Sequence, residues 1–206
     1  GEKEGEWVEY SPNGQVLSKA SNRKGVVEGE WIRYYSNGQV WATGIHQREK
    51  EKGRWAIHYL GGQLQEKGYY RPIKIENQAR QIEGRRVQYY LDGEIQGKGG
   101  FIGREPFDEW VKDKVDEGRR QYEDAYGNRH GEWVYYHENG QVQAKGSYYK
   151  GIKEGEWSNY QSSGALLSKG RYKDGHRDGE WIGYWGDRGV REEFTGIFKK
   201  GQKVGD

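Results

Sequence analysis

The chain has 206 residues, a net charge of +2, 34 glycines, no cysteine, no methionine and only 32% hydrophobic residues. An apolar share so far below the roughly 45–50% of an ordinary globular domain excludes a thick core packed on both sides of a sheet, and the lack of cysteine excludes disulfides, thiol catalysis and cysteine-ligated metal. The 9 Trp, 17 Tyr and 4 Phe argue against disorder, which is poor in aromatic residues.

Self-similarity organises everything that follows. The phrase Gly5-Glu6-Trp7-Val8-Glu9-Tyr10 returns with its tryptophan at Trp31 and Trp55, at a constant interval of 24 residues. Two degenerate copies come next. Arg86 stands at the first of these anchors, and the second keeps Trp110 but has Asp113 in place of its tyrosine. The interval of 24 then resumes at Trp133, Trp157 and Trp181, which makes eight copies. The chain divides into regular copies over 1–68, degenerate copies with an insertion over 69–127, and regular copies over 128–206, all within one continuous repeat domain.

Each copy predicts a β-hairpin, a short aromatic strand followed by a second strand such as Gln141-Val142-Gln143-Ala144-Lys145. Asn13-Gly14, Asn37-Gly38, Asp92-Gly93 and Asn139-Gly140 supply the positive φ of a tight turn. A second glycine turn, as at Asp174-Gly175, leads into the next copy. Alternation places Trp31 and Tyr35 on one face and Ile32 and Tyr34 on the other. The expected fold is all-β: an elongated, single-layer antiparallel sheet of about eight tandem hairpins, held together by cross-strand aromatic pairs.

The phrase Gly170-Arg171-Tyr172-Lys173-Asp174-Gly175, followed by Gly179-Glu180-Trp181-Ile182-Gly183-Tyr184, resembles the MORN repeat. It resembles more closely the bacterial variant found in YwqK-type antitoxin-like proteins. That resemblance covers nearly the whole chain and implies a scaffold that binds other molecules and carries out no reaction. Members of the family bind proteins, are linked to lipid, or neutralise toxins.

Isolated motifs have simpler explanations. His46, His58, His130, His137 and His176 form no metal-binding pattern and are expected as surface turn or strand residues. The His176-Arg177-Asp178 triplet lacks the surrounding motifs of a kinase, and Gly97–Gly103 neither follows a buried strand nor opens a helix, as a phosphate loop would. The repeated Glu6, Glu30, Glu132, Glu156 and Glu180 read as structural, with Lys19, Lys145 and Lys169 as expected cross-strand partners.

The central stretch differs. Residues 71–104 carry excess positive charge and residues 105–124 excess negative charge, so a basic patch adjoins an acidic one in the copies least bound by the repeat pattern. The residues expected to bind a partner are Arg85, Arg86, Phe101, Phe107, Asp108, Trp110, Asp113 and Asp116. The expected function is non-catalytic: an antitoxin or immunity-type inhibitor, or an adaptor, that engages a partner protein through this stretch. No catalytic residue, cofactor or metal is expected.

Two alternatives follow from other features. Open edge strands suggest self-association into a structural or cell-surface scaffold. Lys199, Lys200 and Lys203 are the only polybasic feature pointing to membrane lipid. With net charge near zero, nucleic acid is not an expected partner. Composition leaves the compartment open, between the cytoplasm and an extracytoplasmic site reached after removal of a leader.

Overall fold

A computed structural model describes residues 4–47, 52–73, 81–103, 128–184 and 194–206. Among them lie β1 (Gly5–Tyr10), β2 (Val16–Arg23), β3 (Val26–Tyr34), β4 (Val40–Gln47), β5 (Lys52–His58), β6 (Leu64–Ile73) and β7 (Gln81–Tyr89). The remainder are β8 (Ile95–Gly103), β9 (Asn128–Tyr136), β10 (Val142–Tyr149), β11 (Ile152–Tyr160), β12 (Leu166–Lys173), β13 (His176–Gly183), β14 (Gly196–Lys199) and β15 (Gln202–Gly205). They fall into two units, Gly1–Glu94 and Ile95–Asp206. In each unit the strands pair antiparallel in chain order, as a single layer of successive hairpins. The all-β repeat architecture read from the 24-residue period is therefore the one observed.

Two kinds of turn alternate along the chain. In the first, Gly14 N donates to Ser11 O at 2.9 Å and Ser11 N to Gln15 O at 2.8 Å, and the same pair of bonds closes the turns at Gly38, Gly62, Gly93, Gly140 and Gly164. This is a three-residue loop with a left-handed glycine at its end, and it shifts the register of the strands it joins. The expectation that Asn and Gly together supply positive φ is corrected here. Only the glycine is left-handed, with φ +83° at Gly14 and +78° at Gly140. The Asn or Asp before it instead accepts a hydrogen bond from the backbone two residues on, as Asn37 Oδ1 does from Gln39 N at 3.0 Å and Asp92 Oδ1 from Glu94 N at 3.1 Å.

In the second kind, two residues both have positive φ: Lys24-Gly25, Lys150-Gly151, Asp174-Gly175 and Lys200-Gly201. That is the geometry that matches the right-handed twist of the flanking strands. The tips also bind back to the preceding repeat. Gly151 N donates to Arg129 O at 2.8 Å, Gly175 N to Lys153 O at 3.1 Å and Gly201 N to Arg177 O at 2.9 Å. Side chains make the same jump at the other end of the strands, Tyr35 Oη to His58 O at 2.7 Å and Tyr59 Oη to Tyr89 O at 2.8 Å. Each repeat is thus tied to its neighbour by more than the strand ladder.

The core lies on one face, called inner below. In the first unit a row across the strands reads Trp7, Ala20, Trp31, Gly44, Trp55, Gly68, Arg86. In the second it reads Gly99, Trp133, Gly146, then Trp157, Gly170, Trp181, Gly196. Large and small residues alternate because each indole lies flat over the backbone of an adjacent strand, where a side chain would collide with it. A β-carbon on Gly68 would stand 2.6 Å from Trp55 Cζ2. A single layer buries its tryptophans in this way without a second sheet, and Trp31, Trp55, Trp133, Trp157 and Trp181 are all at most 5% exposed. Trp7, on β1 with β2 as its neighbour, remains 45% exposed.

Candidate functional site

The second unit carries an uninterrupted aromatic ladder. Trp133 meets Tyr148 edge-on at 6.3 Å, Tyr148 meets Trp157 at 5.1 Å, Trp157 meets Tyr172 at 6.1 Å and Tyr172 meets Trp181 at 5.0 Å, with interplanar angles between 81° and 86°. Edge-to-face pairs of this kind contribute roughly 0.5–1.5 kcal/mol each beyond burial. The indole N–H groups are also used: Trp133 Nε1 donates to Gly100 O at 2.7 Å, Trp157 Nε1 to Ser147 O at 3.0 Å and Trp181 Nε1 to Arg171 O at 2.9 Å.

Beside this ladder runs a row of cations. The register sets an aromatic residue directly opposite a cation four times: Phe101 with Arg129, Tyr148 with Lys153, Tyr172 with Arg177, and Phe198 with Lys203. Lys153 Nζ lies 4.2 Å from the Trp157 ring centre and 5.0 Å from that of Tyr172. Arg177 lies 4.5 Å from the Trp181 ring and Arg129 5.2 Å from that of Trp133. These are cation–π contacts. Burial and then the neighbouring Arg129 and Arg177 charges hold Lys153 below the ordinary lysine pKa. The first unit lacks this row at the corresponding pair, where Asn22 faces Val27.

The first unit has a different irregularity on its inner face. Arg86, which replaces the anchor tryptophan, is 1% exposed and lies 3.6 Å from Glu66. Gln88 Nε2 donates to Glu66 Oε2 at 2.9 Å. A charge that enters an aromatic row at an inward-facing position needs a buried counter-charge, and Glu66 supplies it.

On the opposite, outer face Tyr69 stands between Arg54 and Arg85 on the adjoining strands. All three are exposed, Tyr69 to 54%. Next along β6 and β7, Arg71 Nε donates to Glu83 Oε1 at 2.8 Å.

The residues singled out from the sequence therefore separate. Arg85 is on the outer surface of the first unit, whereas Arg86 turns into its interior. Phe101 is buried in the second unit, opposite Arg129. Phe107, Asp108, Trp110, Asp113 and Asp116 lie outside the described residues. The expected Glu–Lys ladder is corrected by the register: Lys19 faces Val8, Lys145 faces Val134 and Lys169 faces Ser158, while Glu6, Glu132 and Glu156 face Ser21, Ser147 and Arg171. Lys145 covers the ring of Tyr160 instead, at 5.7 Å.

The histidines are less idle than expected of surface residues. The ring Nε2 of His137 bonds Tyr160 O at 3.0 Å, and His130 Nδ1 accepts from Lys150 N at 3.4 Å. Sequence reasoning missed the cation row. Its signal was the recurrence of Arg129, Lys153 and Arg177 four residues before successive tryptophans.

Comparison with known families gives four matches to the MORN repeat variant, over residues 3–22, 27–47, 129–150 and 153–174. No curated protein matches the chain. The matched segments coincide with hairpin strands of both units: β1 with β2, β3 with β4, β9 with β10, and β11 with β12. Period, turn chemistry and family match agree, and the chain is a MORN-repeat protein.

Proposed function

We propose that this repeat scaffold is a non-catalytic binding protein of the antitoxin, immunity-inhibitor or adaptor kind, which engages a partner protein through its central repeats. The Arg54–Tyr69–Arg85 row carries the reading. Tyr and Arg dominate the energetics of protein interfaces, and here a tyrosine is flanked by two arginines with no core role, on paired strands that fix their spacing. Phe107, Asp108, Trp110, Asp113 and Asp116 extend the same proposal through their sequence neighbourhood, with the carboxylates suited to a basic surface on the partner.

The test is affinity purification of the full chain from its native host, alongside Arg85→Ala and Trp110→Ala. A stoichiometric partner that is retained by the parent chain and lost by Arg85→Ala supports the reading. A partner bound equally by parent and both variants rejects this surface.

A further inference from the structure

The cation row of the second unit is costly as it stands. Arg129, Lys153 and Arg177 occupy β9, β11 and β13, so neighbouring cations are two strands apart, about 10 Å. Like charges at this separation repel, and half-burial both weakens the screening of that repulsion and adds desolvation. The inner-face positions of β9 to β13 carry no carboxylate. Among the described residues neither Lys153 nor Arg177 has an ion-pair partner, whereas Lys203 at the end of the row is held by Asp206 at 2.8 Å. Stacking of the repeats does not require these charges, because the first unit forms its own tryptophan row with Asn22 and Val27 at the corresponding pair.

We propose that this inner face docks an extended acidic segment of a partner protein, with one carboxylate at every third residue. It is a second surface, distinct from the Arg54–Tyr69–Arg85 row and independent of it.

The spacing selects the ligand. A polyproline II strand rises about 3.1 Å per residue with three residues per turn, so every third side chain points the same way at intervals of about 9 Å. Laid across the strands, such a segment presents one carboxylate to Lys153 and the next to Arg177. A nucleic-acid strand, with one charge per roughly 3.4 Å, would bring about three phosphates to each cation. A membrane is met by a patch of charge, and this row is one residue wide. Carboxylates bound here exchange repulsion between cations for charge-assisted hydrogen bonds in a partly dry setting, where such bonds are strongest.

The experiment titrates the full chain with two synthetic 12-residue peptides of equal composition, following tryptophan fluorescence at low and high salt. One is (Glu-Pro-Pro) repeated four times; the other has its four glutamates in a block. The phased peptide should bind about tenfold more tightly than the block, the difference expected when one charged contact is gained, and added salt should weaken it. Lys153→Gln should weaken the phased peptide by about tenfold, while the outer-face Lys169→Gln leaves it nearly unchanged. Equal affinity for both peptides overturns the proposal, as does failure of both to bind, or binding to anionic vesicles without binding to the phased peptide. The comparison of peptides on the parent chain stands even if Lys153→Gln fails to fold. Loss of the partner in Arg85→Ala is read separately, so either surface can fail alone.

Discussion

Trp157 lies against the backbone of Gly146, so that a β-carbon at Gly146 would collide with Cδ2, Cε2 and Cγ of the indole. Gly170 stands in the same relation to Trp181 and Gly99 to Trp133. The period of the protein is in this sense a period of contacts between glycine and tryptophan. Gly146→Ala and Gly170→Ala should each destabilise the fold by about 1–3 kcal/mol, the usual range for overpacking a tight interior. Urea unfolding checks this. Gly155→Ala is the control: nothing lies within 4 Å of its β-carbon, and its φ of +71° leaves only backbone strain as a cost.

The buried Arg86–Glu66 pair should be fragile to removal of one partner and tolerant of replacement of both. Glu66→Ala leaves a guanidinium in the interior without this counter-charge and should cost about 3–5 kcal/mol. The double variant Glu66→Leu/Arg86→Met replaces the buried pair with apolar side chains of similar volume beside the Trp55 ring that covers Gly68. It should equal the parent or exceed it by up to about 4 kcal/mol. Thermal and denaturant unfolding of the single and double variants measure both effects.

How these positions read in the sequence shows what a linear pattern can and cannot reveal. Trp31, Trp55, Trp133, Trp157 and Trp181 announced themselves because each repeat must rebuild the same stack, and spacing alone conveys that. Arg86 stands out in the sequence as a partner-binding residue because it breaks the pattern. Its position faces inward whatever residue occupies it, so the break produced a buried ion pair. The Tyr148–Lys153 and Tyr172–Arg177 pairs were hidden for another reason. Register shifts at the three-residue loops and within the strands decide which side chains meet, and a period of 24 does not reveal those shifts.

Stability should depend on Lys153 in a definite direction. Its pKa is lower folded than unfolded, so between the folded value and about 10.5 the unfolded chain binds more protons, and stability rises with pH through that window. Below the folded value the penalty is fully present. The stability of the parent relative to Lys153→Met should therefore increase as pH climbs toward 10.5. A difference that stays flat or falls would show that the ammonium is not penalised. Taking the difference cancels other titrating groups, such as Tyr59, whose pKa burial raises.

The two-residue turns offer a stabilising change. Lys150 holds φ at +48° in a turn position that favours asparagine. Lys150→Asn should stabilise the protein by a few tenths to about 1 kcal/mol, since asparagine adopts this conformation with less strain. An increase in the urea midpoint at constant slope is the expected readout.

The proposed interface is the row of exposed arginine and tyrosine side chains on the outer face of β5, β6 and β7. Calorimetric titration of the co-purified partner with the parent chain and with Tyr69→Ala tests it most directly. The expected result is saturable one-to-one binding that weakens by at least about thirtyfold in Tyr69→Ala, corresponding to a hot-spot loss of about 2 kcal/mol or more, while the unfolding midpoint stays unchanged. Equal affinity for the two chains would contradict it.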